Sequence, residues 1–148
     1  MVDSSGSLRE EDDFGNLLFD NFPLVKEFLV KVGRRYDISP DDIRMGIVQF
    51  GDDVQVELQL RDGVSFDNFE SAVDSMQMLD GRTMIFEAIQ DATDMFIANP
   101  RTNAQRVMVV LTDGSPSDAG ENEENYLAAK AAAASAGITM MSKFTFVF

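Results

Sequence analysis

The chain opens Met1-Val2-Asp3-Ser4-Ser5-Gly6-Ser7. Asp3, Ser5 and Ser7 stand at alternate positions, and Gly6 is a flexible joint between the two serines. An apolar residue precedes the group, and the acidic run Glu10-Glu11-Asp12-Asp13 follows it. The pattern reads as a strand end that opens into a tight loop bearing one carboxylate and two hydroxyls. Asp, Ser and Gly also build ordinary turns. As a ligand set, oxygen-only donors of this kind suit a small hard cation such as Mg²⁺ or Mn²⁺.

With 148 residues the chain is long enough for one domain with a sizeable core, and 45% apolar content places it among globular sequences. The net charge of −14 argues against a nucleic-acid backbone or an anionic membrane surface as partner. Histidine and cysteine are both absent. Ser-His-Asp triads, His-ligated zinc and thiolate sites are thereby excluded, and nothing points to a disulfide framework. No apolar run approaches the roughly 20 residues of a membrane span. No signal-peptide pattern is visible, since the chain opens directly on the motif.

After the acidic loop, Leu18, Phe22, Val25, Leu29 and Val32 recur at steps of four and three. This predicts a helix over residues 16–32 with one buried face, started or kinked at Pro23 and stopped by Gly33. Ser39-Pro40-Asp41-Asp42 predicts a capped turn, and residues 43–50 a largely apolar strand. Gly51-Asp52-Asp53 is a tight turn. Val54, Val56, Leu58 and Leu60 then alternate with polar residues, which predicts a half-buried antiparallel edge strand. A short helix is expected over 66–76 with Asp67 as its cap. The loop Asp80-Gly81-Arg82-Thr83 leads to a helix over 84–98. Residues 106–111 form a continuous apolar strand, expected to be buried on both faces and to end in Thr112-Asp113-Gly114. A helix over 121–136 and a strand from Ile138 complete the order.

Strands alternating with helices imply a doubly wound, Rossmann-like α/β fold. Its sheet is mostly parallel, with one antiparallel edge strand and helices on both faces. Ligands bind such sheets beyond the carboxyl ends of the strands. Asp3 and Asp113 each close an apolar strand, and Thr83 opens a helix near the same rim. Three separate loops thus converge with Asp3, Ser5, Ser7, Thr83 and Asp113.

These residues carry a resemblance to the von Willebrand factor A-type domains. Asp3-Ser4-Ser5-Gly6-Ser7 resembles their Asp-x-Ser-x-Ser motif, and Gly81-Arg82-Thr83 their threonine loop. Val110-Leu111-Thr112-Asp113-Gly114 resembles their second aspartate loop, and Arg44 to Phe50 their second strand. The likeness runs from about residue 2 to Gly137. It implies a metal-ion-dependent adhesion site in which Ser5, Ser7 and Thr83 act as direct or water-linked ligands of Mg²⁺ or Mn²⁺, while Asp3 and Asp113 act through water. Neutral hydroxyls leave the cation short of negative charge, so an open position attracts a carboxylate from a partner protein. Two departures stand out. Phe86 occupies a position where the family has a small residue. The ends suggest a single domain, residues 1–148, incomplete at the first strand and after the strand beginning near 138; residues 140–148 match the family poorly.

The implied function is divalent-metal-dependent protein binding in adhesion or matrix recognition. The expected setting is extracellular or at the cell surface, within a larger chain. The alternative is an intracellular A-type domain serving as an assembly subunit of an ATPase-linked complex. A metal-dependent hydrolase is disfavoured by the lack of a histidine, cysteine or lysine base near the motif. Gly114-Ser115-Pro116-Ser117 lacks the lysine of a phosphate-binding loop. The methionines read as core filler and the acidic runs as solvated faces.

Overall fold

The computed structural model describes residues 1–112 and 123–144. In chain order the elements are β1 (Val2–Asp3), a 3-10 turn (Gly6–Leu8), β2 (Arg9–Glu11), β3 (Leu17–Asp20) and α1 (Phe22–Gly33). Next come β4 (Ile47–Phe50), β5 (Val54–Leu58), α2 (Phe66–Ser75) and α3 (Ile85–Ala98). The chain continues with β6 (Arg106–Thr112), α4 (Glu123–Ser135) and β7 (Ile138–Phe144). Five strands form the main sheet in the order β5-β4-β1-β6-β7. The pairs β1–β4, β1–β6 and β6–β7 are parallel, and β4–β5 is antiparallel. This is the predicted doubly wound α/β architecture with its one antiparallel edge strand.

Side chains alternate across each strand, so each strand feeds two cores. Val48 and Phe50 of β4 and Met108 and Val110 of β6 face α3 and α4, packing on Ile85, Ile89, Met95 and Ala133. Val2, Ile47 and Leu111 face α1 and α2, against Val25, Leu29, Phe69 and Val73. The α1–α2 crossing is close: a Cβ at Gly33 would lie 2.7 Å from the Phe69 ring.

The first helix is shorter than the periodicity predicts. It begins at Phe22, with Pro23 in its first turn. Proline costs nothing there, because its missing N–H has no helical acceptor in any case. The residues upstream pair instead as a β2–β3 hairpin, Arg9 opposite Asp20 and Glu10 opposite Phe19. Asp12 closes the hairpin loop by accepting the N–H groups of Phe14 and Asn16 at 2.9 and 2.8 Å, and Gly15 adopts φ 77°. The acidic segment is therefore partly strand and not simply loop. Val25 and Leu29 are buried as expected, whereas Leu18 lies on β3 and is 59% exposed.

Other corrections are local. Regular pairing in β4 starts at Ile47; Ile43 makes only an isolated bridge to Ile38. The α2 cap is Ser65, whose hydroxyl accepts the Asn68 N–H at 3.2 Å, and not Asp67. β6 buries only one face along its first half. Val107 and Val109 are each 43% exposed beside the exposed Met141 of β7, because α1 and α2 cover β4, β1 and only the far end of β6. Phe86 lies within α3, buried, with its ring 5.1 Å from that of Tyr126 on α4. The start of the last helix at Glu121, the 114–117 loop and residues 145–148 lie outside the described residues.

This packing separates two leucines that the helical periodicity treats alike. Leu29→Ala should lower stability by about 2–5 kcal/mol, while Leu18→Ser should stay within about 0.5 kcal/mol of wild type. Urea denaturation midpoints of the two variants check this, and an unchanged midpoint for Leu29→Ala would contradict the assigned core.

Candidate metal centre

β1 is only two residues long, yet it occupies the centre of the sheet. Val2 pairs with Gln49 of β4 and with Leu111 of β6. That double pairing puts Asp3 at the carboxyl ends of three adjacent parallel strands. The crossovers leave β1 toward β4 on one side and return to β6 on the other, so the chain opens a crevice at this rim.

Asp3 is 2% exposed. Its Oδ1 accepts the Ser5 N–H at 2.8 Å, and its Oδ2 accepts the hydroxyl of Thr112. A buried carboxylate needs such partners, since an unpaired one costs several kcal/mol. The first bond turns the chain sharply after β1, and the second fastens that turn to the end of β6. Ser4 points inward. Its hydroxyl accepts Gln49 Nε2 at 2.7 Å and donates to the Phe50 carbonyl at 3.2 Å. The 3-10 turn that follows, capped by Ser5, brings Ser5 and Ser7 together, their Oγ atoms 3.0 Å apart. Ser5 is buried and Ser7 is exposed, so the hydroxyl pair runs from the interior to open surface.

The threonine loop is held against this first loop by its backbone. Gly6 N–H donates to the Gly81 carbonyl at 3.0 Å, and Asp80 N–H to the Ser4 carbonyl at 2.9 Å. The approach is close: a Cβ at Gly6 would lie 2.8 Å from Asp80 Oδ1, so the Asp80 carboxylate would have to shift to admit a side chain. Gly81 has φ 67°, a conformation that favours glycine. Thr83 follows in this loop, 6% exposed. The structure thus gathers Asp3, Ser5 and Ser7 directly and ties the Thr83 loop to them. Asp113 lies outside the described residues.

The β4–β5 turn and the threonine loop form a charged pair. Asp52 Oδ1 accepts the Arg82 Nε–H at 2.8 Å. This bond holds the Asp52 carboxyl below the usual carboxylate range and raises the Arg82 guanidinium above its ordinary value.

The donor set fits a small hard cation. Two ligands at adjacent corners of an Mg²⁺ octahedron, each roughly 2.0–2.1 Å from the ion, stand about 2.9 Å apart. The Ser5–Ser7 hydroxyl separation of 3.0 Å matches that edge. Among the described residues no cluster of three or more carboxylate, imidazole or thiol groups could hold an ion. Among the described residues the donors gathered here are the Ser5 and Ser7 hydroxyls beside the Asp3 carboxylate.

Sequence reasoning missed Thr112, Gln49 and the Asp52–Arg82 pair as parts of this region. Thr112 carried a usable signal. It follows directly on the apolar strand expected over 106–111, whose end is expected at the same rim as Asp3. Asp52 carried none, because nothing in a tight-turn motif says which loop the turn will touch.

Comparison with known proteins follows the same lines. The family model for the von Willebrand factor type A domain matches residues 1–142. The collagen alpha-1(XXI) chain of Homo sapiens is 36% identical over 99 residues, covering 67% of this chain and 10% of that protein. Matrilin-3 of Homo sapiens is 30% identical over 139 residues, covering 90% of this chain and 26% of that protein. The chain therefore spans a small part of these relatives' length. Among solved structures, proximal thread matrix protein 1 from the mussel byssus, with a zinc-occupied metal-ion-dependent adhesion site, superposes with a TM-score of 0.75 at 23% identity. That match covers 97% of this chain and 34% of the mussel protein. Manganese-loaded TRAP protein of Plasmodium vivax gives a TM-score of 0.70 at 16% identity, covering 99% and 55% of the two chains. With a family model matched over nearly its whole length, the chain belongs to the von Willebrand factor type A domain family.

Proposed function

We propose that the chain is a protein-binding module whose contact with its partner depends on a divalent cation, Mg²⁺ or Mn²⁺, held by Ser5, Ser7 and Thr83 with Asp3 and Asp113. The observation that carries this reading is the pair of serine hydroxyls 3.0 Å apart beside the buried Asp3 carboxylate. The mussel protein holds zinc in its metal-ion-dependent adhesion site and the Plasmodium vivax protein is manganese-loaded, which supports the reading of a divalent ion here.

A bound cation supplies a Lewis-acidic position that a partner's Asp or Glu carboxylate can fill. The chain's own residues set how strongly it does so. Ser5, Ser7 and Thr83 offer neutral oxygens and leave the ion's charge largely uncompensated. Asp3 has both oxygens engaged with Ser5 and Thr112, so it fixes the loop. With Asp113 it holds ligand water in place. The net charge of −14 opposes long-range capture of an acidic partner. Attraction must therefore be local, within about one Debye length, and basic residues beside the partner's carboxylate would help it.

The relatives reported above are collagens and matrilins, structural proteins of the extracellular matrix. They favour an extracellular binding module, one domain within a longer chain, over the ATPase-linked alternative and over an enzyme.

Isothermal calorimetry with Mg²⁺ should give one site in the wild-type chain. Ser5→Ala and Asp113→Ala should each weaken it by about tenfold or more. Wild-type affinity in both variants would remove the assignment. For the partner, a displayed peptide library selected on the immobilised domain in Mg²⁺ should yield sequences with an obligatory Asp or Glu, enriched in neighbouring Lys or Arg. EDTA should release them, and the amide replacement of the acid should not bind. Selected peptides that lack an acid, or that hold on through EDTA, would refute the carboxylate bridge.

A further inference from the structure

We infer that Asp52 is a positioning residue for Thr83, acting through Arg82; this rests on the reading of Thr83 as a cation ligand. Asp52 belongs to the turn between β4 and β5 and to none of the three metal loops. Its Oδ1 nevertheless accepts both the Arg82 Nε–H at 2.8 Å and the Arg82 backbone N–H at 3.4 Å. Its own N–H donates to the Asp80 carbonyl at 2.8 Å. The preceding carbonyl, that of Gly51, accepts the Met84 N–H at 3.3 Å. The turn thus grips the threonine loop on both sides of Thr83, at Asp80 and Arg82 before it and at Met84 after it.

Contact continues between those bonds. Gly81 lies directly over the Asp52 side chain, where a Cβ at position 81 would stand 2.6 Å from Asp52 Cβ. On its other side the loop is bonded to Gly6. The loop is therefore clamped between the first metal loop and the β4–β5 turn, and the turn contributes a charged side chain, that of Asp52, to the clamp.

The charge has a second effect. Arg82 sets a permanent cation one residue from Thr83, which opposes a metal ion there. Asp52 draws that guanidinium to itself and offsets its charge. The pair is exposed, at 65% and 57% of the two side chains, so it adds little to global stability. Loop placement and folding can accordingly be separated by experiment.

The test uses the whole chain with Asp52→Asn and Asp52→Glu, and Mg²⁺ as the probe. Amide exchange at Met84 and Gly6 is followed by NMR without metal, and Mg²⁺ affinity by calorimetry. Asp52→Asn should speed exchange at Met84 and weaken Mg²⁺ about tenfold, with the urea midpoint unchanged. Asp52→Glu, which still reaches the guanidinium, should recover most of both. Wild-type exchange and affinity in Asp52→Asn would overturn the inference, as would a fall in midpoint that matches the loss of affinity. A wild-type chain that binds no Mg²⁺ would overturn the metal reading instead, and the exchange data would still decide whether Asp52 orders the loop.

Discussion

The carboxylate of Asp3 joins three pieces of chain that would otherwise be independent. Through Ser5 N–H it bends the first loop back on itself, through the Thr112 hydroxyl it fastens that loop to the end of β6, and through its strand it belongs to the centre of the sheet. A charged group 2% exposed is tolerated only with such partners, and removing one would leave a buried acceptor unsatisfied at a cost of about 1–3 kcal/mol or more. The need to satisfy this group fixes where Ser5 and Ser7 present their hydroxyls. Geometry at the rim thus follows from a buried electrostatic requirement.

The sheet does the rest of the positioning. β1 contributes only two residues, but parallel neighbours on both sides hold it in register. The rigid cores on either face, around Val48 and Phe50 on one side and Val25 and Leu29 on the other, give the loops a fixed platform. Backbone bonds from Gly6 to Gly81 and from Asp80 to Ser4 carry that order outward into the threonine loop. Gly81, at φ 67°, makes the turn of the threonine loop at this contact and packs directly on Asp52.

Much of this was legible in the sequence because it follows from period and chemistry. The alternation from Val54 to Leu58, the apolar run after Arg106 and the spacing of Ile85, Ile89 and Ala92 each have one physical interpretation. The misreadings came where two patterns overlap. Leu18 continues the helical spacing of Val25 and Leu29, but the helix starts at Phe22 with Pro23 in its first turn, and Leu18 belongs to a strand. Val107 and Val109 are as apolar as Val110, yet Val110 is buried under α3 and α4 while the other two lie on the opposite face of the strand, each 43% exposed. Asp67 and Ser65 are both acceptable caps, and the structure uses the serine. Phe86 departs from the family's small residue, yet it is absorbed into the core against Tyr126. Asp3, Ser5 and Ser7, which the structure brings together, stand at alternate positions in the sequence, whereas the places of Thr112 and Asp52 depend on which loops meet in space.

In the proposed reading, a site built on hydroxyls and shared carboxylates would suit an ion that keeps one position for a partner. Strong all-carboxylate coordination would bind the ion more tightly and leave less attraction for an incoming acid. Anomalous X-ray diffraction from crystals of this chain grown with Mn²⁺ tests the claim most directly. The account predicts a single anomalous peak at bonding distance from both Ser5 Oγ and Ser7 Oγ. A peak elsewhere on the surface, or none in a well-occupied crystal, would contradict it.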